Sequence, residues 1–174
     1  MRQRMTSIAG TVIGLPVSAF AGLWIAGSLI PRDHSATVTV SVAAPIDEVY
    51  TTISDYDTFH HWAPNMPTLE RLGDVNGHRS YQMVDGEDAM HFTLIEERPP
   101  NRLVIETTAD PPAFGRTWTW SLTPSQMGTE ATLTEEGWVD PPLSRAIMTM
   151  MGWDDDTIRA HTAALKIHLE GEAG

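Results

Sequence analysis

No cysteine occurs among the 174 residues. That absence removes disulfides, thiolate metal sites, iron–sulfur clusters and a cysteine nucleophile together, and leaves the redox compartment open. Basic residues are also scarce, 11 against 23 acidic. Two of the 11, Arg2 and Arg4, lie at the very start, and no acidic residue precedes Asp33, so the chain beyond residue 30 sets 9 basic against 23 acidic side chains. Such a surface repels phosphate backbones, which argues against nucleic acid as a partner. The chain has no biased tract and no fixed repeat. It also lacks GxSxG, GxxxxGK[ST] and GxGxxG, so nucleophile-elbow hydrolases, P-loop NTPases and dinucleotide enzymes are without their signatures.

What is present begins with an uncharged run. After a short basic stretch, residues 1–5, the segment Thr6–Ile30 carries no charge and is long enough as a helix to cross a bilayer. Its glycines and Pro16 suit a membrane helix better than a soluble one, and Trp24 sits near the exit end, where interfacial aromatics collect. A single transmembrane helix is therefore expected. The competing assignment is a cleaved signal peptide ending at Ala19-Phe20-Ala21, against which the apolar run continues well past Ala21. Two arginines before the span and Arg32 after it place the N-terminus in the cytoplasm and the rest of the chain beyond the cell membrane.

A linker, residues 31–35, leads to one domain over 36–174. Ala36–Ala43 alternates with period two, a half-buried strand with Val38, Val40 and Val42 on one face. Pro45 then opens a helix whose apolar positions are Ile46, Val49, Tyr50 and Ile53, and Tyr56–Trp62 reads as a second short helix ended by two prolines. Strands follow at about 68–74, 79–85, 89–97, 102–109, 115–123 and 129–138, split by turn residues and short enough in their connections to pair antiparallel. From about Leu143 to Leu169 the spacing predicts a long helix broken near Gly152, with Ile147, Met151, Ile158, Leu165 and Leu169 on one stripe. The fold class is α+β, a curved antiparallel sheet covered by the C-terminal helix.

Particular residues carry a family resemblance. Val40-Ser-Val-Ala-Ala-Pro45 with Asp47-Glu-Val-Tyr50, then Asp55-Tyr-Asp-Thr-Phe-His-His-Trp62-Ala-Pro64, resemble the opening of the START-like (SRPBCC) superfamily, in its polyketide cyclase/dehydrase-type branch. Gly128-Thr-Glu-Ala-Thr-Leu-Thr-Glu135 resembles its last strand, and Ala164-Leu-Lys166 with Glu170 its closing helix. The resemblance spans about residues 36–170. It implies a helix-grip fold with an apolar cavity between sheet and helix, and no single activity, since the superfamily holds carriers, sensors and enzymes. Phe59 and His60-His61 stand where the family often has further tryptophans beside Trp62.

Strand parity nominates the cavity wall. If Val38, Val40 and Val42 face inward, so do Tyr81 and Met83, Phe92 and Leu94, Leu103 and Ile105, and Trp118, Trp120 and Leu122. Ile147, Met148 and Met151 would close the space from the helix, methionine adapting to varied ligands. The ligand-binding candidates are accordingly Trp62, Tyr81, Met83, Phe92, Arg116, Trp118, Trp120, Met148 and Met151. Arg116 shares a face with Trp118, and Glu135 with Leu133, so a guanidinium and a carboxylate approach the cavity mouth. An inward Glu135 is either ion-paired or an acid/base, which makes it the one catalytic candidate. No metal set is completed: His60 and His61 diverge on a helix, His161 and His168 lie two turns apart, and Asp154-Asp155-Asp156 lacks the spacing of a calcium loop. No cofactor is expected, and nothing specifies an oligomeric state. The sequence points to a membrane-anchored domain holding a hydrophobic, lipid-like or polycyclic molecule. A cyclase, dehydratase or hydrolase using the same cavity is the alternative, as is an interaction domain with a filled core.

Overall fold

Alternation of apolar and polar side chains draws the chain into strand β1, Asp33–Val42, in the computed structural model. The structure describes residues 11–64, 66–85, 88–110, 113–151 and 153–171, without the side chains of 11–19, 84, 85, 88, 110, 151 and 153–155. β1 starts three residues before the expected strand, because Asp33, His34 and Ser35 find partners in Trp138, Gly137 and Glu136, and the linker shortens accordingly.

Ahead of β1 runs helix α1, Thr11–Leu29, continuous through Ala19-Phe20-Ala21. Its Phe20, Trp24, Ile25 and Leu29 are exposed. Among the described residues no helix is long and apolar enough to cross a membrane. Residues 1–10, with Arg2, Arg4 and the start of the uncharged run, lie outside the described residues.

After β1, Pro45 precedes helix α2, Ile46–Ser54, whose Asp47 and Glu48 stand in the first turn, where the helix dipole favours them. Val49, Tyr50 and Ile53 are its buried face. The expected second helix shrinks to a single 3₁₀ turn, Phe59–His61. Here Tyr56, Phe59 and Trp62 are all buried and packed ring against ring, so tertiary contact rather than helical pitch sets the backbone.

Six more strands complete the sheet: β2 (Glu70–Arg71), β3 (Ser80–Asp85), β4 (Asp88–Arg98), β5 (Arg102–Asp110), β6 (Phe114–Ser125) and β7 (Gly128–Val139). The order β1-β7-β6-β5-β4-β3-β2 is an antiparallel meander with β1 added beside β7. A register shift at Leu94/Glu96 adds local twist between β4 and β5. The parity read from sequence holds in the core: Tyr81, Phe92, Leu94, Leu103, Ile105, Trp118, Trp120, Leu122 and Leu133 are buried on one face, with Val38 and Val40 packed against them. Full burial of one such aliphatic side chain stabilises the fold by roughly 1.5–3 kcal/mol.

The C-terminal helix, expected to break near Gly152, is two helices, α3 (Pro142–Met151) and α4 (Trp153–Gly171). α4 lays Ile158, His161, Thr162, Leu165 and Leu169 on the sheet. Its far end is tied down by charge: Lys166 Nζ donates to the Ser41 carbonyl (2.6 Å) and to Glu170 (2.7 Å), and Glu170 accepts from the Ala43 amide (2.9 Å). α3 turns instead to α1. Gly27 meets Pro142 so closely that a Cβ there would sit 2.5 Å from the Pro142 carbonyl carbon. Arg145 holds the junction, donating from Nε to the Gly27 carbonyl (3.0 Å) and from Nη1 to the carbonyls of Val139 and Asp140.

Candidate functional site

The inner face of the sheet and the first half of α4 do not meet everywhere. Between them lies a cavity of about 410 Å³. Met83 of β3, Met90 and Phe92 of β4 and Thr107 of β5 form its floor, with Arg116 and Trp118 of β6 beside them. Tyr56, Phe59, Pro64 and Met66, from the segment after α2, make a side wall; Thr157, Ala160 and His161 of α4 form the roof, and exposed Asp156 marks the rim. The sheet register explains the grouping: Met83 opposes Met90, Phe92 opposes Thr107, and Thr107 opposes Arg116. Apolar side chains dominate this wall and polar groups are few, as in small-molecule sites of similar volume.

Behind the wall sits a buried polar cluster. Glu135, only 2% exposed, is placed by register opposite Trp118 on one side and Ala36 on the other. Its Oε2 accepts from the Trp118 indole Nε1 and from Arg116 Nη1 at 3.4 Å, while its Oε1 lies 3.4 Å from His34 Nε2. A carboxylate removed from water requires such partners, and three converge on this one. Arg116 also lies over the Trp118 ring, 5.4 Å from its centroid. Glu135 thus acts as the fixed counter-charge that aims Arg116 and Trp118, and it borders a second space of about 150 Å³ shared with Arg116, Met90 and Met148.

His161 is a second buried polar side chain at this site. Its ring lies 4.6 Å from that of Trp118, nearly edge-on, and 6.1 Å from that of Phe59. Its Nδ1 is 2.9 Å from the Thr157 carbonyl, and since a carbonyl only accepts, the proton is on Nδ1. Burial pulls its pKa below the usual histidine value; the Thr157 bond opposes this, Arg116 adds to the lowering and Glu135 opposes it.

Of the candidates named from sequence, Met83, Phe92, Arg116 and Trp118 line the larger cavity. Trp62, Tyr81 and Trp120 are buried in the core and are not on that wall. Met148 lines the smaller space beside Glu135, because α3 turns toward α1 instead of capping the sheet, and Ile147, expected to close the cavity, is 43% exposed. The Met151 side chain lies outside the described residues. Glu135 is ion-paired in the interior and not at a solvent-facing mouth. Among the described residues no group of three His, Asp or Glu side chains is placed to hold a metal ion. Sequence reasoning missed Tyr56, Met66, Met90, Thr107 and His161. Met90 and Thr107 share the inward parity of Phe92 and Ile105, and His161 stands three residues after Ile158 and four before Leu165, so period alone was a usable signal for these three.

Residues 33–170 match the family model described as polyketide cyclase / dehydrase and lipid transport. The chain belongs to this family. No curated protein sequence matches it. The fold of this polyketide cyclase / dehydrase family member is also seen in solved structures. The Zhui aromatase/cyclase from Streptomyces sp. R1128 superposes with a TM-score of 0.67 at 17% identity, over 82% of this chain and 96% of that one. The di-domain ARO/CYC StfQ from the steffimycin biosynthetic pathway gives 0.61 at 15% identity, over 82% and 52%. Protein CV1439 from Chromobacterium violaceum gives 0.56 at 20% identity, over 80% and 99%. At these identities the likeness establishes the fold, a curved antiparallel sheet gripping a C-terminal helix, and leaves activity to the site.

Proposed function

We propose that the domain binds a hydrophobic small molecule, lipid-like or polycyclic, in the cavity between the sheet and α4. The observation that carries this is the cavity itself: about 410 Å³ of space walled by Tyr56, Phe59, Met66, Met83, Met90 and Phe92, where a closed core would be filled. Three of those six are methionines, whose flexible thioethers fit irregular ligands. The domain is tethered to the cell membrane by the uncharged N-terminal segment, with the N-terminus cytoplasmic and the cavity on the far side. The uncharged run Thr6–Ile30 and the exposed Phe20, Trp24, Ile25 and Leu29 of α1 support that arrangement.

An enzyme acting in the same cavity, of cyclase or dehydratase type as in the aromatase/cyclases of like fold, is a second reading. Arg116 and His161 favour it, flanking the indole of Trp118 on the cavity wall.

Native mass spectrometry of the full-length protein, taken gently from its own membrane and then denatured, tests the first reading. A stoichiometric hydrophobic compound that is absent from a folded Met83→Trp variant, whose indole fills the cavity, is the expected result. An empty protein that also takes up no lipid and no polycyclic probe overturns it.

A further inference from the structure

His161 is 4% exposed and lines the cavity. Its Nδ1 is committed to the Thr157 carbonyl one turn back on the same helix. The ring lines the cavity, and Nε2 is its one nitrogen not committed to α4. That Nε2 is buried and has no hydrogen-bond partner among the described residues. With the proton on Nδ1, Nε2 is a lone-pair acceptor, and a buried acceptor left unmatched is costly in a folded protein.

We propose that His161 Nε2 accepts a hydrogen bond from a hydroxyl of the bound molecule, so that the ligand is an apolar compound bearing an alcohol or phenol group. This rests on the cavity being a binding site and narrows what it binds. The surroundings fix the geometry of the bond. Trp118 meets the imidazole nearly edge-on at 4.6 Å and Phe59 lies roughly parallel to it at 6.1 Å, while the Thr157 bond holds its other nitrogen, so a donor must come to the ring. The acceptor role also survives at neutral pH. Burial lowers the imidazole pKa, the Thr157 carbonyl opposes, Arg116 of β6 lowers it further and Glu135 of β7 opposes, and Asp156 on the same helix stands at the rim. A molecule with only ether or carbonyl oxygens offers no proton, and a plain hydrocarbon leaves Nε2 empty, so the site discriminates by donor and not by bulk.

The test uses two probes of one shape, 2-naphthol and its methyl ether, with the full-length chain in lipid nanodiscs and equilibrium dialysis corrected against empty nanodiscs. The wild type should hold 2-naphthol about tenfold more tightly than the ether, the ratio one good hydrogen bond gives. In His161→Phe the two affinities should become equal. A second readout needs no variant: the ¹⁵N resonance of His161 Nε2 should move with 2-naphthol and stay in place with the ether. Equal affinities in the wild type, or a preference that survives in His161→Phe, overturn the hydroxyl assignment and leave the binding site standing. Failure of both probes to bind overturns the binding site and the assignment together.

Discussion

The indole of Trp118 donates to the carboxylate of Glu135 directly across the β6–β7 ladder. One cross-strand pair thus fixes both a wall of the cavity and the counter-ion of Arg116. Glu135→Ala removes the acceptor and strands the Trp118 N–H and the Arg116 charge, and should cost on the order of 3 kcal/mol and lower Tm by roughly 10 °C. Glu135→Gln keeps an acceptor for the indole and should lose less than half as much. Thermal unfolding of the two variants beside the wild type checks the ordering.

His161 makes stability depend on pH with a definite sign. Its folded pKa is depressed, chiefly by burial, whereas the unfolded chain takes up the proton near 6.5. Between those two values the unfolded state binds more protons, so stability is full above about 6.5 and falls as pH drops below it. Urea unfolding at a series of pH values should show this decline in the wild type. It should be shallower in His161→Phe, and an unchanged slope would remove His161 as its source.

The approach of Gly27 to Pro142 leaves no room for a methyl group. Gly27→Ala should part α1 from α3 and break the bond from Arg145 to the Gly27 carbonyl, seen as faster amide exchange in α3. Gly22, with no neighbour within 4 Å of its would-be Cβ, is the control, and Gly22→Ala should leave exchange unchanged.

Gly128 opens β7 at φ +132°, a conformation that L side chains rarely adopt, and a Cβ there would collide with the Val42 carbonyl and lie 2.8 Å from the Ala44 amide nitrogen. Gly128→Ala should therefore destabilise by roughly 2 kcal/mol or more, measured by urea midpoint, from strain and collision together.

The parts legible in the sequence are those governed by a period. A two-residue repeat places Phe92 beside Leu94 and Trp118 beside Trp120 without knowledge of their partners, and a helical stripe places Ile158, Leu165 and Leu169 on the sheet. Glu135 and Arg116 followed the same parity, but their pairing needed the register between strands. Tyr56, Phe59, Pro64 and Met66 belong to a segment without a repeat, so nothing local marks them as cavity wall. Met148 and Ile147 were misplaced because α3 packs on α1, a contact set by Gly27 and Arg145 far apart in the chain. His161 obeys its helix period, but a lone histidine on an apolar stripe does not by itself mark a cavity wall.

The pairing of β1 with β7 also governs the order of assembly. Asp33 must meet Trp138 and Val42 must meet Thr129, while the six strands β2 to β7 each join their immediate neighbour in sequence. During synthesis the meander can zip up by short loops, whereas β1 is made first and waits with an unpaired edge until residue 139 has emerged. The Thr and Ser side chains that alternate with its valines keep that waiting strand from being apolar on both faces, which limits its adhesion to other nascent chains.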